Sequence, residues 1–168
     1  MPENTDRTDI IKLSNELTYQ RHLFNREYRK DIFMNMSVPE YIALQYITKE
    51  EATNIYSGRT YLKDLADQLK MTMRQISKMV AKLRDAGYVV WSHDGNGSEG
   101  TYVTITESGR SMLKKQEDIL KKYYGKVFEK FGQDNLIQLL QLMKQLETVM
   151  SSEIEHLEVD ENDDGADE

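Results

Sequence analysis

The feature that most constrains how this chain can fold is a pair of short amphipathic helices joined by only three residues. Apolar residues at spacings of three and four lie on one face of a helix. Residues 61–69 have such a face, and the link 70–72 leads directly into a second helix predicted at 73–86. The face of the first helix consists of Leu62, Leu65, Ala66 and Leu69. This pattern is typical of a helix-turn-helix.

The second helix separates an apolar stripe from a polar face. Its inward stripe consists of Ile76, Met79, Val80 and Leu83, and Gly87 occupies the position where a glycine usually ends a helix. At 100° per residue the opposite face holds Arg74, Lys78, Ala81 and Asp85, flanked by Gln75, Ser77 and Lys82. A helix with this division presents its polar face to something outside the core.

After Gly87 the period of the sequence changes from helical to extended. Residues 88–91 and 101–105 are rich in β-branched and aromatic side chains, and a turn-rich loop at 94–100 separates them. A β-hairpin directly behind a helix-turn-helix predicts a winged helix.

Long helices are predicted on both sides of this unit. The first 35 residues show helical spacing, and Ser37 with Glu40 forms a capping-box pattern that opens the next helix. Residues 106–109 cap a further long helix, which Gly132 ends, and the last helix is expected from about 134 to 156. That last helix is apolar over more than half of its surface, which favours packing on two sides. We therefore expect a mainly α fold: a winged helix-turn-helix with a small β-hairpin wing and long N- and C-terminal dimerisation helices.

The charge of the chain is unevenly distributed. The formal net charge is −7, but residues 151–168 contain nine acidic residues and no Lys or Arg. The first 150 residues hold 22 basic and 20 acidic residues, a balance of +2, and residues 59–88 hold seven basic and three acidic ones. The acidic pI therefore does not argue against a nucleic-acid partner. Residues 158–168 have a composition that predicts a disordered acidic tail.

Several functional classes are disfavoured by what the sequence lacks. There is no cysteine, which excludes disulfides and cysteine-ligated metal clusters. There is no Gly-rich phosphate loop and no convincing Ser-His-Asp arrangement, so we expect no enzyme activity and no cofactor. His22, His93 and His156 fall on three different elements, so no metal site is predicted. The polar N-terminus and the absence of a long apolar run predict a cytoplasmic protein.

The ordered combination of these elements resembles the MarR family of winged-helix regulators. The resemblance covers about residues 9–157 and depends on the apolar spacing of the two short helices, on Gly87-Tyr88-Val89, and on the block Ile105-Thr106-Glu107-x-Gly109-Arg110. It implies a homodimer in which helices at 1–36 and 111–157 mediate dimerisation and residues 37–110 form the DNA-binding domain. The apolar excess of the last helix independently favours a partner surface.

The predicted wing departs from the family pattern. Members of the family usually carry an Asp-x-Arg signature in the wing, and those positions fall here on Gly97, Ser98 and Glu99. The loop contains His93, Asp94 and Glu99 but no Lys or Arg, a formal charge of −2. Phosphate would repel such a loop, so the wing is expected either to approach DNA through backbone amides or to make no contact.

We predict that the exposed face of the second helix reads DNA. Arg74, Gln75, Ser77 and Lys78 are expected in the major groove, where Arg and Gln can bond bidentately to base edges. Thr72 and Lys82 fit phosphate contacts, and Arg59 is a weaker phosphate candidate. In the family many members sense aromatic compounds, and Tyr19, His22, Tyr41 and Tyr46 lie on helices expected to line such a cleft. The alternative for these aromatic residues is that they belong to the core.

The sequence thus predicts a sequence-specific transcriptional regulator that binds a pseudo-palindromic operator as a homodimer. A repressor is favoured, with possible release by a small aromatic effector. The alternative is a winged-helix module that has lost DNA binding and contacts other proteins, which an acidic wing would permit.

Overall fold

The computed structural model describes residues 7–27, 32–33, 36–53 and 58–163 of the chain. The helices and strands follow in the order α1 (Arg7–Glu27), α2 (Val38–Thr53), β1 (Thr60–Tyr61), α3 (Leu62–Leu69), α4 (Met73–Asp85), β2 (Val89–His93), β3 (Thr101–Ile105), α5 (Glu107–Phe131) and α6 (Gln133–Asp163). A single 3₁₀ turn at Gly97–Glu99 lies between β2 and β3. The mainly α winged-helix fold predicted from the sequence is confirmed.

The three strands form one small antiparallel sheet in the order β1-β3-β2. In the hairpin, Val89 pairs with Ile105 and His93 with Thr101. Strand β1, which the sequence pattern did not predict, pairs through Tyr61 with Tyr102 of β3. It places the residues just before α3 on the open edge of the wing.

Local hydrogen bonds set the ends of α2 and α4 as the sequence predicted. The Ser37 backbone N–H donates to Glu40 Oε2 (2.8 Å), and the Glu40 backbone N–H donates to Ser37 Oγ (3.3 Å), which completes a capping box. Helix α4 ends at Asp85, and Gly87, one residue past the C-cap Ala86, has a φ of +80°. There the N–H of Gly87 donates to the Arg84 carbonyl (2.8 Å) and that of Tyr88 to the Leu83 carbonyl (2.9 Å), the two bonds of a Schellman motif.

The core lies between α2, the helix-turn-helix and the hairpin. The predicted inward stripe of α4 is buried, and it packs with apolar residues of α2, α3, the two long strands and the start of α5. The fully buried members include Ala43, Leu44, Ile47, Leu65, Ile76, Val80 and Val103. Because this stripe points inward, the opposite face of α4 is fixed toward solvent.

The chain divides into two compact units, residues 1–120 and residues 121–168. The first contains α1 to β3 and the first half of α5, and the second contains the rest of α5 and α6. Helix α6 exposes apolar side chains along its length: Ile137, Leu139, Leu140, Leu142, Met143, Leu146, Val149, Ile154 and Leu157. Helix α1 likewise exposes Ile10, Ile11, Leu13, Leu17 and Phe24.

Two expectations about helix ends are wrong. A single helix through residue 35 is contradicted at Ile32 and Phe33, which lie in a bend. Tertiary contacts hold them there: the Ile32 carbonyl accepts from the buried Gln116 side chain (2.6 Å), and Phe33 packs edge-on against Tyr41. Residues 7–27 of that predicted helix form α1, and residues 1–6, 28–31 and 34–35 lie outside the described residues.

The second correction concerns the acidic tail. Residues 158–163, expected to be disordered, continue α6 as far as Asp163. Extending an existing helix avoids the cost of nucleating a new one, and glutamate is a good helix former. Residues 164–168 lie outside the described residues. No helix in the described part of the chain is long and apolar enough to span a membrane.

Candidate nucleic-acid interface

The N-terminus of α4 is held by a complete capping box. The Thr72 hydroxyl accepts from the Gln75 backbone N–H (3.2 Å), while the Thr72 backbone N–H donates to Gln75 Oε1 (2.9 Å). The Thr72 hydroxyl also donates to the same Gln75 oxygen (3.1 Å). Gln75, predicted to read bases, therefore has its side-chain oxygen turned back onto the helix cap.

Arg74 and Lys78 lie on the outward face of α4. Both side chains are exposed, whereas Ser77 is half-buried. Arg74 and Lys78 are one helical turn apart, so they are neighbours on the same face. Together they provide two exposed cations in the first two turns of α4, whose N-terminal partial charge is also positive, a suitable arrangement for a polyanion.

Lys82, predicted to contact phosphate, forms an ion pair within the chain. Its Nζ lies 2.7 Å from Glu40 Oε1, and the Glu40 side chain is only 6% exposed. The other Glu40 oxygen accepts from the backbone of Ser37 in the α2 capping box. This pair ties the start of α2 to α4, and it reduces the charge that Lys82 can offer to DNA.

The acidic residues of the wing have partners. The Tyr61 hydroxyl donates to Asp94 Oδ2 (2.9 Å), and the Asn96 backbone N–H donates to Asp94 Oδ1 (2.8 Å). The Asn96 N–H, followed by the Tyr61 hydroxyl, holds the pKa of Asp94 below its ordinary value of 3.8. Glu99 Oε1 lies 3.8 Å from Lys63 Nζ, an exposed pair at the start of α3.

The tip of the wing is closed by His93. Its Nδ1 accepts from the Gly95 backbone N–H (2.8 Å), so the ring proton of a neutral imidazole lies on Nε2, which donates to the Gly97 carbonyl (2.6 Å). The wing is therefore an internally bonded turn, and its formal charge of −2 is partly balanced by neighbouring groups.

Arg59 lies beside the wing although it is outside the hairpin in sequence. Its guanidinium is 4.6 Å from the centre of the Tyr102 ring, within the range of a cation–π contact. A side-chain hydrogen bond with Tyr61 raises the pKa of Arg59, and Tyr102 adds to that effect. The sequence suggested Arg59 only as a weak phosphate candidate, because nothing local indicates that β1 pairs with the wing.

An open cleft of about 490 Å³ separates the start of α2 from α4. It is lined by Ser37, Pro39, Glu40, Met71, Gln75, Lys78, Met79 and Lys82. None of the four predicted effector residues is part of this lining.

Those four residues lie on α1 and α2. Tyr19 and His22 are exposed on α1, and Tyr41 and Tyr46 are half-buried on α2 against the core. Burial raises the pKa of Tyr41, with Glu117 adding to the shift, and burial followed by Glu50 and Asp64 raises the pKa of Tyr46. Both hydroxyls on α2 are therefore protonated at neutral pH, and the effector role of all four residues stays a prediction.

Among the described residues, no group of three or more His, Asp or Glu side chains is arranged to hold a metal ion.

Comparison with known proteins agrees with this architecture. A family model described as a winged helix DNA-binding domain matches residues 57–124, which include α3, α4 and the wing. No curated protein sequence matches the chain.

Solved structures with the same fold cover most of the chain. A MarR family regulator from Neisseria meningitidis has a TM-score of 0.63 at 16% identity, covering 88% of this chain and 97% of its own. The transcriptional regulator BldR from Sulfolobus solfataricus has a TM-score of 0.62 at 19% identity, covering 88% and 99%. A mutant MarR from E. coli, solved in complex with operator DNA, has a TM-score of 0.64 at 15% identity, covering 82% and 95%. The resemblance to MarR-type regulators is confirmed at the level of the fold.

Proposed function

From the winged helix DNA-binding domain at residues 57–124, we propose that this chain is a transcriptional regulator that reads specific DNA sequences through α4. The observation that carries the proposal is the fixed outward face of α4, with Arg74 and Lys78 exposed opposite a buried apolar stripe. An Arg side chain can bond bidentately to guanine in the major groove. Lys78 supplies a second cation one turn along the helix.

The remaining predicted contacts differ in how accessible they are. Thr72 lies at the exposed cap of α4, where hydroxyl and backbone groups suit a phosphate. Gln75 reads a base only after its side chain leaves the capping box, and Lys82 contacts phosphate only in competition with Glu40. Arg74 and Lys78 therefore carry the readout, with Ser77 beside them.

The protein acts as a homodimer in this proposal. Apolar side chains are exposed along α1 and along α6, and contiguous exposed apolar surface commonly marks a protein–protein contact. Covering them with a second copy would contribute about 25 cal/mol for each Å² removed from water. Two-fold symmetry then requires half-sites about 10 base pairs apart, centre to centre, in a pseudo-palindromic operator.

Repression follows if the operator overlaps a promoter. An effector that changes the distance between the two copies of α4 would prevent both from binding at once, and the gain from bivalent binding would be lost. Tyr19, His22, Tyr41 and Tyr46 are the residues we assign to that effector.

The test is fluorescence anisotropy of the purified protein on the promoter DNA upstream of its own coding region, at two salt concentrations, with a scrambled duplex as control. Tight, salt-sensitive binding that prefers the promoter is the expected result. The absence of binding to either duplex at low salt would contradict the proposal and favour a protein-interaction module.

A further inference from the structure

A positive charge lies on the wing although the wing contains no Lys or Arg. Arg59 immediately precedes β1, and β1 pairs with β3 so that Tyr61 is opposite Tyr102. This pairing brings the exposed Arg59 guanidinium over the Tyr102 ring, 4.6 Å from its centre. The cation is therefore attached to the sheet of the wing and not to a separate loop.

Tyr61 connects the aromatic ring beneath this cation to the acidic tip. Its hydroxyl donates to Asp94 Oδ2 (2.9 Å), and its ring packs edge-on against the Tyr102 ring, with the two ring centres 5.8 Å apart. Asp94 Oδ1 is used by the Asn96 N–H (2.8 Å), so both carboxylate oxygens have donors within the wing.

The turn brings the Gly100 backbone close against the Asp94 carboxylate, where only a glycine fits. A Cβ added at Gly100 would overlap Asp94 Oδ1 and would lie 2.8 Å from the Asn96 backbone nitrogen. Asp94 is exposed, but each of its carboxylate oxygens accepts a hydrogen bond, one from the turn and one from Tyr61. Arg59 is also exposed, so its guanidinium donors face solvent.

We propose that Arg59 is the wing's phosphate-contacting residue and that Tyr61, Asp94 and Tyr102 are positioning residues for it. The ligand is a backbone phosphate of the DNA flanking each half-site. The inference rests on the proposed function, since it assumes that α4 docks on DNA. A guanidinium already oriented by an aromatic ring loses less conformational entropy on binding a phosphate than a free side chain does.

The test compares four variants on a duplex selected from random-sequence DNA by the wild-type protein. For Arg59→Gln we expect the slope of log K against log[salt] to become shallower by about 0.9, the value for one phosphate contact. The loss of affinity should be equal on selected and random DNA, because phosphates carry no sequence information. For Tyr102→Leu the salt slope should become shallower by part of the same amount. Tyr102→Phe, which retains the ring, should have the wild-type slope.

Arg84→Gln is the matched control. Arg84 also stacks on an aromatic ring, 5.2 Å from the centre of Trp91, but its guanidinium pairs with Asp85 (3.0 Å). We expect the wild-type salt slope for this variant. An equal reduction in Arg84→Gln and Arg59→Gln would overturn the assignment, since it would reflect total charge only.

A positional measurement separates a direct contact from a structural effect. Methylphosphonate substitutions neutralise single phosphates in the flank. At one position per half-site they should weaken DNA binding by the wild-type protein, and at the same position they should not change DNA binding by Arg59→Gln. If Arg59→Gln keeps the wild-type salt slope while the wild type prefers its operator, the role of Arg59 is refuted but the proposed function is not. A wild-type protein without operator preference would instead refute the proposed function.

Discussion

At the scale of single residues, tertiary contacts give two glycines of α5 opposite roles. Gly109 lies in the first turn of α5, where an added Cβ would overlap the Tyr88 backbone carbonyl and lie 2.8 Å from Ile105 Cγ1. Gly125 lies in the middle of the same helix, where an added Cβ meets nothing within 4 Å. Close packing requires a glycine at position 109, whereas nothing in the surroundings of Gly125 requires one there.

Gly109→Ala should destabilise the protein by about 1–3 kcal/mol, the range for overpacking a tight contact. Gly125→Ala, its matched control, should stabilise the protein by about 0.5–1 kcal/mol because alanine is the better helix former. Urea unfolding followed by circular dichroism measures both. Equal effects in the two variants would show that α5 does not pack against the hairpin as described.

At the scale of elements, the sequence predicts the bounds and caps of helices that are set by residues close together in the chain. Helix α4 was expected at 73–86 and is found at Met73–Asp85, and its cap and its Gly87 stop follow from neighbouring residues. The contacts that modify the candidate site join residues far apart: Lys82 with Glu40, and Asp94 with Tyr61. No helical or strand period relates such positions, so only the folded chain reveals them.

The wing offers a pH-dependent test of this architecture. The folded state lowers the pKa of Asp94, so its contribution to wing stability is present above the ordinary value of 3.8 and is lost as pH falls through the lower folded value. Carboxyl-carbon NMR should give a titration midpoint for Asp94 below 3.8. In Tyr61→Phe the midpoint should move part of the way back, because the Asn96 N–H remains.

The control for this titration is Tyr102→Phe, which leaves the Tyr61 hydroxyl in place. Its Asp94 midpoint should match that of the wild type. An Asp94 midpoint that Tyr61→Phe leaves unchanged would show that the bond between strand β1 and the wing tip is not formed.

At the scale of the whole molecule, the exposed apolar surface of α6 is the feature that a single chain leaves unexplained. Leu140 and Met143 lie one turn apart on its stripe, with exposed fractions of 47% and 55%. In the proposed homodimer a second copy covers this stripe, so each dimer carries two winged helices. Specific binding would then require α6 for assembly and α4 for readout.

Met143→Glu should convert the dimer to a monomer without unfolding it, because the side chain is already exposed in the single chain. Gln141→Glu, which adds the same charge on the polar face of α6, should remain dimeric. Sedimentation velocity gives the oligomeric state, and circular dichroism checks that the helices persist. A monomeric wild-type protein would contradict the dimer.

The most direct test of the central claim, that α4 reads DNA sequence, is the operator preference of Arg74→Ala. We expect a loss of about 1–3 kcal/mol in affinity for the selected duplex, with relaxed preference at one base position per half-site. Affinity for random DNA should fall much less. An equal loss on selected and random duplexes would contradict the account, because it would make Arg74 a phosphate contact and leave α4 without a demonstrated base reader.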